Sequence, residues 1–237
     1  MIIKTDKEEL CVVGNVKAIE EKEFVVEPSL WNTKKNRRLQ SSINYSFDRN
    51  GNVIELETKT FHEGSIISSV QQFEFNEKDQ KLKTKSKGTM DSSNYIETLL
   101  YDELGNKTES LKVFALSKEK SQYKYSILGY LMEKMVFDNF DMLTYRFTYK
   151  YNEKGCLIEL IRFNQKGLCV GSRKYRYNNK KCVTEIDYVR PNGKFSTEFF
   201  DYTYDSNTNW VNKLCYKKSL IKKKLISLTE RNIVYFD

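Results

Sequence analysis

An all-β chain of repeated antiparallel hairpins is predicted by three observations. One turn-containing motif recurs about seven times, with a period near 26 residues. The chain holds 16 Tyr and 14 Phe but only 2 Pro, a composition suited to paired strands. No segment reads as a convincing helix.

The motif is clearest in Tyr149-Lys150-Tyr151-Asn152-Glu153-Lys154-Gly155-Cys156-Leu157-Ile158-Glu159. Residues two apart share a face of a strand, so Tyr149 and Tyr151 point the same way. Asn152 opens a turn by accepting backbone hydrogen bonds. Gly155 supplies the left-handed residue that closes it. The expected register pairs Asn152 with Cys156, Tyr151 with Leu157 and Tyr149 with Glu159, placing Glu159 on the aromatic face. Arg173 is expected opposite Glu159 across the next turn. On that reading, removing Glu159 costs roughly 1–3 kcal/mol.

In chain order, residues 10–27 alternate as a strand with a break at Gly14-Asn15, and Pro28–Arg38 is a polar loop containing Trp31. The copies then follow without a linker. Their second aromatics stand at 47, 75, 101, 125, 151, 177 and 204. Gly51, Gly105, Gly155 and Gly167 are expected at positive φ, while Asp79 and Lys181 stand where Gly is expected. Each period contains a second turn, as at Asn164–Gly167 and Arg190–Gly193. Residues 217–237 give a basic turn and a capping strand. Its end, Ile233–Asp237, looks like the opening of an eighth copy cut at its turn. The whole is a single repeat domain, with 1–38 as N-terminal strands and loop, 39–216 as about seven hairpins, and 217–237 as the cap. About sixteen strands at ~4.8 Å spacing exceed a flat open sheet, so the sheet must be strongly twisted or rolled.

The unit Y-x-[FY]-[DN]-x-x-G-x-[LVI]-x-E resembles the YD repeats of RHS-type proteins. It is more similar still to the small YD-repeat-like proteins of Bacteroidetes. Residues 45–55 and 149–159 carry the likeness, which spans roughly 39–216, and Gly14–Ile19 looks like the opening of those small proteins. The resemblance implies hairpin architecture and says little about chemistry. The toxin-enclosing role of large RHS proteins does not carry over to a chain of 237 residues. No signal-peptide core lies in residues 1–10, although exported small relatives favour a removed signal.

The five cysteines, at 11, 156, 169, 182 and 215, are odd in number and face no partner cysteine in the expected register, so free thiols are expected. CxxC spacing is absent and His62 is the only histidine, so neither a metal nor a cofactor is called for. There is no apolar run long enough for a membrane helix. A transmembrane barrel is disfavoured by Lys150, Lys174, Arg176 and Thr203 between the aromatics.

Three functional readings follow. The first is a non-catalytic binding or scaffold module presenting Tyr149, Tyr151, Tyr175, Tyr177, Tyr202, Tyr204 and Trp210 to a protein or glycan, rather than to nucleic acid. The second is a polyanion-binding protein using Lys217, Lys218, Lys222, Lys223 and Lys224. The third is a glycan-active enzyme using carboxylates among Glu55, Glu133, Glu159 and Glu185. The carboxylates read as structural, satisfied by neighbouring strands.

Overall fold

The computed structural model describes residues 6, 10–27, 36–218 and 223–236. The chain is all-β and antiparallel. Its strands are β1 (Val16–Glu27), β2 (Asn36–Phe47), β3 (Val53–His62), β4 (Ser65–Phe75), β5 (Lys81–Gly88), β6 (Tyr95–Tyr101), β7 (Lys107–Phe114) and β8 (Lys118–Tyr125). They continue as β9 (Leu131–Phe137), β10 (Leu143–Tyr151), β11 (Leu157–Asn164), β12 (Cys169–Tyr177), β13 (Val183–Val189), β14 (Phe195–Tyr204), β15 (Trp210–Lys218) and β16 (Lys223–Tyr235). Between Asn36 and Lys218 the one helical element is a three-residue 3₁₀ turn, Asp91–Ser93. Strands follow one another in chain order and β1 pairs with β16, so the strand order is that of a closed barrel. Three residues assigned to the polar loop, Asn36–Arg38, belong to β2, and the rest of that loop, with Trp31, lies outside the described residues.

The fold divides into two compact units. One holds Glu74–Lys85 and Asn94–Thr197, and the other holds the described residues of Lys4–Phe73, Ser86–Ser93 and Glu198–Asp237.

In the first unit the motif turns form as the sequence predicts. Asn152 donates its N–H to the carbonyl of Cys156 and Gly155 donates to that of Asn152, each at 2.9 Å. The Asn152 side-chain oxygen accepts from Lys154 and Cys156 at 3.0 and 2.9 Å. Gly155 and Gly167 both have φ +74°, and Lys181 takes the same left-handed conformation at 61°. The turn glycines of the other copies, Gly51 and Gly105, have φ of 91° and 80°.

One residue beyond each turn the register departs from expectation. Tyr151 faces Leu157, but Lys150 faces Glu159 and Tyr149 faces Leu160, because Ile158 bulges out of the ladder. The same shift recurs at Leu100/Tyr101, Lys124/Tyr125 and Arg176/Tyr177. A one-residue slip sends every following side chain to the other face. The sheet therefore has an aromatic face, carrying Tyr149, Tyr151, Tyr175 and Tyr177, and a polar face, carrying Lys150, Lys174, Arg176 and the motif glutamates. Adjacent repeats are tied by tyrosine hydroxyls: Tyr177 donates to the Leu157 carbonyl and Tyr101 to that of Lys81, both at 2.7 Å.

In the second unit the aromatic face is covered by the chain itself. Val12 packs with Val16, Ile19, Phe47 and Val53, flanked by Leu10, Tyr45 and Tyr235. The eighth copy, cut at its turn, finds its other half in Gly14-Asn15-Val16. Tyr235 faces Val16, Val234 faces Ala18 and Ile233 faces Ile19, with Lys17 in the bulge position. Phe236 donates to the Asn15 carbonyl at 2.8 Å, as Asn152 does to Cys156, and Gly14 has φ +95°. One repeat unit, split between two distant chain segments, thus makes the β1–β16 seam. Asn209, fully buried, locks it: its side chain accepts from Val13 N–H at 2.6 Å and donates to the Val13 carbonyl and the Tyr235 hydroxyl at 2.9 and 2.7 Å.

Candidate functional site

The motif glutamates lie on the polar face, contrary to the expectation that they join the tyrosines. Glu133 pairs with Lys124 at 3.1 Å and Arg146 at 3.4 Å, and Glu159 pairs with Lys150 at 2.7 Å and Lys174 at 3.9 Å. Glu185 pairs with Arg176, which also reaches Asp187 at 3.1 Å. Glu55 accepts from Gln72 at 3.1 Å. The partners expected for Glu159, Tyr149 and Arg173, are instead aligned with Leu160. The bulge makes the residue between the two aromatics the natural counter-ion of the motif Glu.

This changes the expected cost of losing Glu159. Its partner Lys150 is largely exposed, and an exposed pair contributes little. Glu159→Gln should lower stability by about 1 kcal/mol or less, with the loss shrinking as salt is added. Thermal melts at low and high ionic strength would measure it; a salt-independent loss of several kcal/mol would contradict the pairing.

The seven candidate aromatics divide by burial. Burial pushes the Tyr149 hydroxyl up to about 12, with neighbouring tyrosines adding to the effect. Trp210 is a correction: it is only 6 % exposed, and the Arg231 guanidinium lies 3.4 Å over its ring, so it presents no surface. Tyr202 packs edge-on against Trp210 at 5.9 Å and beside Tyr204 at 6.3 Å. Tyr151, Tyr175 and Tyr177 come together at a groove of about 570 Å³.

That groove arises where the repeats part. The ladder between β11 and β12 runs from Phe163↔Cys169 to Glu159↔Lys174, short of the turns at Asn152 and Asn178. The space beyond is lined by the three tyrosines, the bulged Ile158, and the polar Asn152, Lys154, Arg176 and Asn178. Sequence reasoning missed Ile158 and Arg176, because their place depends on the bulge, and Lys154, which sits in the predicted turn itself. The signal available was the basic residue inside each aromatic pair. Ile158 offers apolar surface, the tyrosines offer ring faces, and Asn152, Lys154 and Asn178 offer hydrogen-bonding groups beside the carboxylate of Glu153, so the groove can hold a polar ligand.

Of the lysine cluster, Lys222 lies outside the described residues. The other four face one another, Lys217 opposite Lys224 and Lys218 opposite Lys223, while Lys217 also pairs with Glu198 at 3.2 Å. The five cysteines are free thiols, and burial, with Glu198 adding, holds Cys215 up to about 11.

A crystallised porin-like protein from Bacteroides uniformis shares this fold. Its TM-score is 0.65 at 10% identity, covering 92% of this chain and 98% of the other. A porin-like protein from Bacteroides vulgatus gives a TM-score of 0.40 at 12% identity over 93% and 98% of the two chains. The Photorhabdus luminescens Tc holotoxin pore gives 0.34 at 12% identity, with 88% of this chain covering 14% of that one. A comparison with curated proteins finds no match. Residues 90–208, just over half of the chain, match the model of a family described as "Uncharacterised protein", and the chain belongs to that family.

Proposed function

We propose that this protein is a non-catalytic binding module that takes a glycan in the groove between the 149–159 and 175–185 hairpins. The observation that carries the reading is the convergence of Tyr151, Tyr175 and Tyr177 at the point where two repeats part. Tyrosine rings offer flat apolar surface to sugar rings, and the flanking Asn, Lys and Arg side chains offer hydrogen bonds to hydroxyl and carboxyl groups. The motif carboxylates favour this reading over a glycan-active enzyme, since each ion-paired one is held by a base on the polar face rather than set across a cleft.

A pore, the role suggested by the words "porin-like" for its structural neighbours, fits the side chains less well. A spanning barrel needs an apolar belt toward lipid. In the second unit the aromatic face, which would have to meet lipid if the charged face lined a lumen, is covered by Leu10 and Val12.

The test is binding to an array of neutral and acidic oligosaccharides, compared between wild type and Tyr175→Ala. Loss of one stacked ring should weaken binding about five- to tenfold, measured at a temperature where both proteins are folded, because truncating a half-buried ring also lowers the melting temperature. No binding to any oligosaccharide, equal binding by the variant, or conductance steps in a planar bilayer would each overturn the reading.

A second reading, polyanion binding, is favoured by one observation. Like charges placed directly opposite, as in Lys218↔Lys223, are destabilising unless a counter-charge lies beside them, and the nearby Glu198 carboxylate pairs with Lys217 instead. Salt-dependent retention on heparin would support it.

A further inference from the structure

The turns at the opposite end of the same hairpins carry a feature that the glycan groove does not use. In the first unit, four successive turns join β7 to β8, β9 to β10, β11 to β12 and β13 to β14. Each presents a large apolar side chain to solvent: Leu116 at 97% exposure, Phe140 at 81% with Met142 at 63%, Leu168 at 62%, and Phe195 at 63%. Two strands separate neighbouring turns, so the tips stand roughly 10 Å apart along the row. Turn tips are ordinarily polar, and exposed apolar groups gathered in one place mark an interaction surface.

The charges around these tips are one-sided. Asp138 is spent on the turn, accepting from Phe140 N–H and Met142 N–H at 2.9 and 3.0 Å. Asp141 faces Lys118 and Lys120 at 3.5 and 3.6 Å. Lys166, Arg190 and Lys194, on the next two turns, are exposed and have no acidic partner among the described residues.

We propose that this row of turns docks on the surface of an anionic lipid bilayer, with Leu116, Phe140, Leu168 and Phe195 entering the headgroup boundary and Lys166, Arg190 and Lys194 meeting lipid phosphates. Separate protruding tips suit a soft, deformable partner. Apolar groups flanked by Lys and Arg are the composition that binds at an interface without crossing it. A second copy of the chain is a poorer occupant: the row it would offer carries the same excess of basic side chains, not an acidic complement to Lys166, Arg190 and Lys194.

Co-sedimentation tests the proposal, using vesicles of phosphatidylcholine alone and of phosphatidylcholine mixed with phosphatidylglycerol. The full chain should pellet with the mixed vesicles and not with the neutral ones. Phe140→Ser/Leu168→Ser/Phe195→Ser and Lys166→Gln/Arg190→Gln/Lys194→Gln should each reduce binding tenfold or more. All six side chains are exposed in turns or beside them, so both variants should melt as wild type does. Wild type failing to pellet with mixed vesicles would overturn the proposal, as would undiminished binding by the apolar triple variant. It would also be overturned by a wild-type dimer that light scattering shows dissociating in that variant, because the occupant would then be a second copy.

Discussion

Arg231→Met should destabilise the protein by about 3–5 kcal/mol, the loss expected when one partner is taken from a buried ion pair. The Arg231 side chain is 2% exposed and that of Glu21 13%. The guanidinium donates to Glu21 through Nε at 3.0 Å and through Nη2, and to the Leu10 carbonyl at 3.2 Å. Its plane lies 3.4 Å over the Trp210 ring. Methionine can restore some packing on the indole but none of the donors. Glu21 would be left as an unpaired carboxylate on a covered face, close to Tyr45, whose hydroxyl is already pushed up to about 12 by burial and then by Glu21. Urea unfolding measures the loss as a shift in midpoint. The double variant Arg231→Met/Glu21→Gln should recover a large part of it, since the uncompensated charge is gone. A single-variant loss below about 1 kcal/mol would mean that water reaches the pair and that the β1–β16 seam is held by its ladder alone.

The architecture was legible because the turns announce themselves. Asn, Asp or Ser at the first position and Gly three residues on have one common use between two aromatic runs, and the spacing near 26 residues fixed two strands per repeat. The bulge was not legible. Five of its six occupants, Ile54, Thr108, Ile158, Thr184 and Val211, are β-branched and the sixth is Met132, but β-branched residues are common throughout strands and do not mark a bulge. Missing it put the glutamates on the wrong face, although Lys124, Lys150 and Arg176 inside the aromatic pairs were the visible counter-ions. The seam was half legible. Both halves of the eighth copy, Gly14-Asn15-Val16 and Ile233-Val234-Tyr235, stood in the sequence, but nothing local says that one end of a chain pairs with the other. Trp210 failed as a binding residue for a similar reason: its cover, Arg231, comes from the next strand, and an aromatic motif does not reveal which cation will sit on it.

Gly155→Val should destabilise the protein by roughly 2–4 kcal/mol, and Gly167→Val by only about 1–2 kcal/mol. The pair is informative because the two glycines share φ of +74° and the same turn hydrogen bond, from Gly155 to Asn152 and from Gly167 to Asn164. Left-handed strain on a β-branched residue is therefore common to both substitutions. The surroundings differ. A Cβ at Gly167 meets nothing within 4 Å, whereas one at Gly155 comes to 2.8 Å from the Tyr130 hydroxyl and 3.2 Å from its ring. Tyr130 cannot simply turn away, because it stacks on Tyr151 with ring centroids 5.0 Å apart. Displacing it would disturb the aromatic face beside the groove as well as the turn. Alanine at the two sites refines the comparison, since it removes most of the bulk and keeps the backbone strain and the Cβ contact. Gly155→Ala should still cost more than Gly167→Ala. Calorimetric melts of the four variants give the differences directly. Equal losses at the two positions would show that Tyr130 yields without cost and that backbone strain alone accounts for glycine in these turns.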